Sequence, residues 1–191
     1  MAYFPFFVDV TNLHGLIIGG GNIALEKVER LLAFDAKITL IADRITDEIK
    51  KYADRMELIE GKYYKEILEK ADYVVAATDN TKLNEIVYSD ARKLNLLVNV
   101  VDVPDMCDFI FPSVMKKGKL VVGVSTSGAG PQVAIRLRKK IEESIPSDIE
   151  EILDQLAEAR IVAKETMPDL GKRRKYLIDL ANELLDRTGL W

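Results

Sequence analysis

The chain has 191 residues, of which 48% are hydrophobic and 30% are charged, a balance typical of a folded globular protein with room for one full-sized domain and a smaller one. The net charge of −4 argues against nucleic acid as a partner, because neutralising many phosphates requires a basic surface. No apolar run approaches the ~20 residues that span a bilayer, and the N-terminal residues do not resemble a secretory signal. We therefore expect a cytoplasmic protein that does not contact a membrane.

Cysteine and histidine are almost absent from the chain. Cys107 is the only cysteine and His14 is the only histidine. An intrachain disulfide is therefore excluded, and a conventional zinc site is not expected. We predict no metal site.

The first half of the chain alternates short apolar segments with helical ones, as in a parallel α/β fold. The segment Tyr73–Ala77 is apolar throughout, as expected for a strand in a parallel sheet that is covered on both faces. The predicted order is strand Leu16–Ile18, helix Ile23–Phe34, strand Lys37–Ile41, helix Thr46–Tyr52, strand Met56–Glu60, helix Tyr64–Lys70, strand Tyr73–Ala77, helix Thr81–Leu94 and strand Leu96–Val101.

The alternation ends after Asp102. Phe109–Val114 and Leu120–Ser125 are predicted strands joined by a turn at Lys117-Gly118, which indicates a hairpin or meander added to the sheet. A helix is predicted to start at Pro131, since the first helical turn tolerates proline. The fold class is therefore α/β, a Rossmann-like parallel sheet with helices on both faces, followed by a small α+β region and a C-terminal helical region. The last two predicted helices cover Asp148–Lys164 and Gly171–Thr188.

The segment Gly19–Ala24 satisfies the pattern G-x-G-x-x-G/A between a predicted strand and a predicted helix. In dinucleotide-binding folds the first glycine (here Gly19) permits a tight turn, and the second (Gly21) lets the backbone approach the pyrophosphate. The final small residue (Ala24) lets the helix pack close to the strand. The free N–H groups of the helix N-terminus favour phosphate there. A glycine-rich turn without a ligand is the alternative interpretation.

Acidic and polar residues follow the second and fourth predicted strands. Asp43 lies about 20 residues beyond the glycine loop, where a carboxylate would bond the adenosine ribose and repel the 2′-phosphate of NADP, which favours NAD. Asp43 could instead cap the helix that begins at Thr46, and Arg44 could accept a 2′-phosphate. Thr78 and Asp79 follow the fourth strand, at the edge where such sheets bind ligands. We expect them to line the cofactor crevice or to cap the next helix.

Several motifs, at nearly constant spacing as far as residue 144, resemble the precorrin-2 dehydrogenase family, which also forms the N-terminal part of siroheme synthase. The glycine loop is common to many families, whereas the Asn-Val-Val-Asp and Ser-Thr-Ser-Gly elements are more particular. The segments that carry the resemblance are Phe4–Phe7, Gly19–Ala24, Ala76–Asp79, Asn99–Asp102, Phe109–Ser113 and Ser125–Pro131.

The resemblance implies NAD-dependent oxidation of precorrin-2 to sirohydrochlorin in siroheme synthesis, with metal insertion in some members. It implies NAD contacts from Asn22, Ile23, Asp43 and Arg44, and it makes Asp102 the acid/base candidate. It also implies a homodimer joined by the region after the Rossmann domain. The expected domains are therefore 1–113 for NAD binding, 114–145 for dimerisation and 146–191 for a C-terminal helical domain.

The implied reaction gives a role to two polar features. Asp102 ends the fifth predicted strand and could accept a proton; alternatively, it bonds backbone N–H groups in a turn ahead of Pro104. The implied substrate carries many carboxylates, for which hydroxyls and a helix N-terminus are suitable partners. We therefore hypothesise that substrate carboxylates bind the loop formed by Ser125, Thr126, Ser127 and Gly128.

Two other function classes use parts of the same pattern. A non-enzymatic NAD-sensing Rossmann module would need the glycine loop and Asp43, but neither Asp102 nor the loop Ser125–Pro131. An NAD(P) dehydrogenase for another small substrate would share the cofactor residues only. Formation of NADH in the presence of precorrin-2 separates both from the implied reaction.

Overall fold

The computed structural model describes residues 3–189. The chain divides into two compact units, with the boundary between Ile110 and Phe111. Each unit has its own sheet, one with five strands and one with two.

The first unit is built on a five-stranded sheet in the order β3-β2-β1-β4-β5. All four strand pairings are parallel. The chain therefore moves outward in one direction from β1 to β3, and then crosses to the other side of β1 for β4, which creates a topological switch point between β1 and β4. The strands are β1 (His14–Ile18), β2 (Lys37–Ala42), β3 (Glu57–Glu60), β4 (Tyr73–Ala76) and β5 (Leu97–Val100).

Helical segments connect the strands and cover the sheet. The helix α1 buries Ala24, Val28 and Leu31 on its apolar side, and α3 contributes Val87 and Ala91 to a core cluster shared with the central strands. This arrangement confirms the predicted Rossmann-like α/β class. The helices are α1 (Asn22–Leu32), α2 (Asp47–Lys50) and α3 (Thr81–Lys93), with 3₁₀ segments over Lys65–Lys70 and Pro104–Met106.

The second unit contains an antiparallel hairpin and three helices. The hairpin pairs Ser113 with Val124, and Gly118 in its turn has a φ of +53°, which favours glycine. Proline occupies the first turn of α4, as predicted, and α5 packs against α6. The elements are β6 (Ser113–Lys117), β7 (Leu120–Val124), α4 (Pro131–Glu143), α5 (Ile149–Thr166) and α6 (Leu170–Asp186).

The hairpin differs from the prediction in both position and connection. It is a separate two-stranded sheet, and its first strand begins at Ser113 rather than Phe109. The physical reason lies at the edge of β5, where the Asp108 carboxylate accepts from the backbone N of Val98 (3.0 Å) and Asn99 Nδ2 donates to the carbonyl of Phe109 (2.8 Å). These bonds hold residues 108 and 109 against β5 and so remove them from the hairpin.

None of the helices within residues 3–189 is both long enough and apolar enough to cross a bilayer.

Candidate cofactor site

Gly19 and Gly20 in the loop after β1 are required by the fold itself. Gly19 has a φ of +127°, and a Cβ there would lie 2.3 Å from the carbonyl oxygen of Ala77. A Cβ on Gly20 would lie 2.0 Å from the carbonyl oxygen of Arg44. Both contacts are with backbone atoms, which cannot move aside cheaply. Any larger residue at either position would push the loop away from its neighbours.

Gly21 is different, because nothing in the chain requires a glycine there. Its φ of −99° is ordinary for any residue. A Cβ would meet no atom within 4 Å. The open space lies directly at the N-cap of α1, where the dinucleotide fingerprint needs the pyrophosphate to approach the backbone.

The start of α1 is suited to an anion. Gly21 is the N-cap and offers no side chain, and the first turn contains no acidic residue. The first helical bond runs from the backbone N of Leu25 to the carbonyl of Gly21 (3.0 Å), so the amides of residues 22–24 have no partner within the helix. Ala24 is fully buried, which allows α1 to approach the sheet closely.

Asp43 and Arg44 follow β2 and are both exposed. The N-cap of α2 is Thr46, and its side chain makes no capping bond. The alternative interpretation of Asp43 as a helix cap is therefore contradicted. Its carboxylate makes no hydrogen bond or ion pair within residues 3–189 and is available to a ligand.

Some of the residues after β4 stabilise the start of α3, and others remain exposed. Asn80 is the N-cap of α3 and accepts from the backbone N of Leu83 (3.1 Å). The hydroxyl of Thr78 donates to Oδ1 of Asn84 (2.6 Å), and Nδ2 of this buried asparagine donates back to the carbonyl of Thr78 (3.0 Å). The capping role therefore belongs to Asn80, and Asp79 stays exposed beside it.

The predicted cofactor residues all line one cleft of about 1230 Å³, at the carboxyl ends of β1, β2, β3 and β4. The sequence motifs did not predict the part of this cleft that follows β3 or the part formed by one face of α3. The carboxyl ends of neighbouring parallel strands lie at one edge of a sheet. The position of β3 beside β2 could therefore have shown that the residues after β3 line the same cleft. The predicted residues are Gly19, Gly21, Asn22, Ile23, Asp43, Arg44, Thr78 and Asp79; among the additional ones are Gly61, Lys62, Tyr63, Lys82 and Ile86.

Asp102 lies at the same edge of the sheet but outside the residues that line this cleft. The register pairs Ala76 with Val100, so that Thr78 and Asp102 each stand two residues beyond paired positions of adjacent strands. Asp102 is exposed, and no backbone N–H in the described part of the chain donates to its carboxylate. The alternative of a turn aspartate bonded ahead of Pro104 is therefore contradicted.

The turn that carries Asp102 is tightly held. Its φ of +61° is in the left-handed region, and the backbone N of Val103 donates to the carbonyl of Val100 (3.1 Å). The Cys107 thiol lies 3.1 Å from the Val100 carbonyl and 3.3 Å from that of Val103. Burial raises the pKa of this thiol, which keeps it protonated as a donor. The Cys107 thiol thus contacts the carbonyls of both residues that flank the turn.

The predicted substrate loop belongs to the second unit. Ser127 and Gly128 have φ values of +51° and +85°. The hydroxyl oxygen of Ser125 accepts from the backbone N of Ser127 (3.0 Å), and that of Thr126 accepts from the backbone N of Gly130 (3.1 Å). Each of these hydroxyls keeps its own hydrogen for donation, and the side chain of Ser127 is exposed. The loop therefore presents hydroxyl donors immediately before α4.

Comparison with protein families supports the interpretation of the first unit. Residues 6–113 match the model of the family described as "Putative NAD(P)-binding". This range contains the glycine loop and every residue that lines the cleft.

Similar proteins cover nearly the whole chain. The siroheme synthase of Psychrobacter arcticus is 36% identical over 178 residues, which are 92% of this chain and 32% of that protein. That of Mannheimia succiniciproducens is 35% identical over 98% of this chain and 40% of its own length. The chain thus spans about a third of the length of the curated relatives it matches. A solved structure named "SirC, precorrin-2 dehydrogenase" superposes with a TM-score of 0.78 at 20% identity, covering 99% of this chain and all of that one, which shows a common fold.

Proposed function

The chain belongs to this NAD(P)-binding family, and from that premise we propose that it oxidises precorrin-2 to sirohydrochlorin with NAD as the hydride acceptor. The observation that carries the proposal is the extent of the similarity to siroheme synthases, which reaches 92% of the chain and so includes the second unit. A module that only senses a dinucleotide would need the first unit alone. The shared fold with a protein named as a precorrin-2 dehydrogenase supports the same reaction.

The residues present fit a nicotinamide dinucleotide. The open position above Gly21 and the uncapped start of α1 suit a pyrophosphate. The free Asp43 carboxylate suits the adenosine ribose hydroxyls, which favours NAD over NADP. When bound, NAD supplies the hydride acceptor, and the protein supplies orientation and electrostatics. Asn22, Ile23, Thr78 and Asp79 complete the cleft around it.

We assign proton transfer to the Asp102 carboxylate. It is exposed, it makes no hydrogen bond in the described chain, and β5 brings it to the edge that also carries Thr78. The Asp102 φ of +61° is in the left-handed region, which aspartate adopts more readily than most residues. Cys107 holds the carbonyls on either side of this turn and thereby positions the carboxylate.

The second unit would bind substrate and join two subunits. The hydroxyls of Ser125, Thr126 and Ser127, with the backbone at Gly128, are suited to the carboxylates of a tetrapyrrole. The helix α4 exposes Val133, Leu137 and Ile141, which lie four residues apart and therefore on one face. Such a face suits a symmetric contact with a second copy of the chain.

We also assign a role to each part of the chain and a cellular location to the protein. Residues 1–113 bind cofactor, residues 114–145 form the dimer contact, and residues 146–191 form a helical domain. The division of the structure between residues 110 and 111 lies near the first of these boundaries. The end of α4 at Glu143 lies near the second, although residues after 110 form one compact unit. The reaction consumes NAD, so we place it in the cytoplasm, which cell fractionation tests.

The test is the oxidation of precorrin-2, generated enzymatically, with NAD or NADP and followed by NADH absorbance and by the spectrum of the tetrapyrrole. We expect NAD-dependent turnover by the native chain. In Asp102→Asn we expect kcat to fall by about 100-fold or more, as for the loss of an acid/base group, with NAD affinity unchanged. Because asparagine tolerates a positive φ, the variant should be at least as stable as the native chain in urea.

Asp105→Asn is the matched control, since it removes an exposed carboxylate from the same loop and should leave kcat unchanged. Full turnover by Asp102→Asn would contradict the role of Asp102. NAD binding without any turnover of precorrin-2 would instead favour a sensing module or a different substrate.

A further inference from the structure

Residues 4–8 form an exposed apolar segment that the proposed reaction does not use. Phe4, Phe6 and Phe7 are exposed to 74%, 78% and 77%, and Val8 is exposed to 63%. A single exposed phenylalanine on a protein surface is ordinary. Four large apolar side chains within five residues instead indicate a surface that another molecule covers.

The segment holds its side chains in a defined arrangement. The rings of Phe4 and Phe6 have their centroids 4.9 Å apart, so both lie on the same side of the chain. Pro5 between them restricts the backbone. After the segment, Oδ1 of Asp9 accepts from the backbone N (3.0 Å) and the hydroxyl (2.6 Å) of Thr11. A segment that is ordered in advance loses less conformational entropy when it binds.

The area of this segment matches what the proposed dimer contact on α4 lacks. A standard interface buries about 800 Å² of each partner. Val133, Leu137 and Ile141 are only about half exposed and provide roughly a third of that area. Three phenylalanines of about 200 Å² each, three quarters exposed, add about 450 Å². In a two-fold symmetric dimer each subunit contributes both surfaces, which together approach the area of a standard interface.

The charges beside the two surfaces are complementary. Arg136 and Lys140 are exposed on α4. They follow Val133 and Leu137 by three residues, so they form a basic row along the border of the apolar face. Asp9, directly after the aromatic segment, is also exposed and carries the opposite charge. An acid at the end of one apolar surface can therefore pair with bases beside the other.

We infer that residues 4–8 of one subunit pack against the exposed face of α4 in a second copy of the chain. Two equivalent contacts of this kind, related by the two-fold axis, would close the dimer. The inference rests on the proposed homodimer and names the surface that completes it. In this arrangement Asp9 lies beside the basic row of the second copy.

Sedimentation velocity of the full chain over a range of concentrations measures the dissociation constant of the dimer. In Phe6→Ser/Phe7→Ser we expect this constant to rise by about 30-fold or more, as for aromatic residues at the centre of an interface. Both side chains are exposed, so each subunit should keep its fold, which circular dichroism checks. Leu170→Ser is the matched control, because Leu170 is 74% exposed at the start of α6, and it should leave the constant unchanged. Asp9→Asn should weaken the dimer by about 2- to 5-fold, and by less at high salt.

A double-mutant cycle of Phe6→Ala and Leu137→Ala tests the contact itself. If the two side chains touch across the interface, the two fold-changes in the dissociation constant should combine to less than their product. Independent effects would contradict the inference, because the segment would then contact a different surface. A dimer of the native chain that is unaffected by Phe6→Ser/Phe7→Ser would overturn this inference alone. A native chain that stays monomeric would contradict the proposed homodimer as well, but not the proposed reaction.

Discussion

The largest fully buried side chains, such as Leu40 and Val75, belong to the first unit, where helices cover both faces of a parallel sheet. In the second unit, α4 leaves three apolar side chains exposed, those of Val133, Leu137 and Ile141. The first unit therefore encloses a large apolar core of its own, although its N-terminal segment also exposes Phe4, Phe6 and Phe7. The second unit has a smaller, two-stranded sheet, against which α4 packs. We therefore expect the first unit to hold the cofactor site in place and the exposed face of α4 to contact a second copy of the chain.

A charged residue on the exposed face of α4 tests whether this face contacts a partner. Leu137→Lys places a charge at the centre of that face, and we expect the proposed dimer to weaken by about 30-fold or more, as for a central interface residue. Sedimentation velocity over a range of concentrations measures the change. Lys139→Glu, an exposed position elsewhere on α4, is the control and should leave the association constant nearly unchanged. A native chain that stays monomeric at high concentration would disprove the dimer.

Two glycine variants test whether the first unit holds a preformed cofactor site. Gly20→Ala forces a Cβ against the carbonyl of Arg44, and we expect a loss of about 1–3 kcal/mol in the free energy of unfolding. Gly21→Ala meets no atom of the chain, so we expect a smaller loss, limited to the tenths of a kcal/mol by which alanine is less favourable than glycine at a helix N-cap. The same methyl group occupies the predicted position of the pyrophosphate, so the affinity for NAD should fall by about 10-fold or more.

Urea unfolding and NAD titration together check this pair. Equal loss of stability in both variants would contradict the distinction between a glycine required by the fold and one required by the ligand. Unchanged NAD affinity in Gly21→Ala would contradict the placement of the pyrophosphate.

The smallest expected effect is a pH dependence confined to the first unit. Burial, aided by the charge of Asp72, raises the pKa of the Tyr73 phenol from 10.0 to about 12. Between these values the unfolded chain loses this proton before the folded chain does, so the free energy of unfolding falls as pH rises. Below pH 10 the contribution is fully present. Tyr73→Phe should make the alkaline decline shallower, although Tyr63, whose pKa burial also raises, keeps its own share.

Urea midpoints measured below and above pH 10 test this slope. At neutral pH, Tyr73→Phe should be as stable as the native chain or slightly more stable, because the buried hydroxyl of Tyr73 has no hydrogen-bond partner in the described structure. Tyr176→Phe, in the second unit and exposed, should leave the slope as it is. A steeper decline in Tyr73→Phe would contradict the assignment.

The order of elements in the first unit was predictable because its strands are short, apolar and separated by clear helical spacing. The segment Tyr73–Ala77 was predicted as a strand from its continuous apolar character, and β4 covers Tyr73–Ala76 with every residue buried. The hairpin was less predictable: Phe109 has the composition of a strand residue, but its carbonyl bonds Asn99 at the edge of β5. Amino-acid composition does not show which donor a backbone carbonyl will accept a hydrogen bond from.

The amino-acid sequence by itself determined the α/β class, the glycine loop and the presence of Asp43 after the second strand, because these depend on local periodicity and on short spacings. Tertiary structure decided which glycines serve the fold and which face open space, since a close approach such as that of Gly20 to Arg44 joins residues far apart in the chain. It also brought Lys62 into the cleft, because a parallel sheet places the ends of separate strands at one edge whatever their distance in sequence.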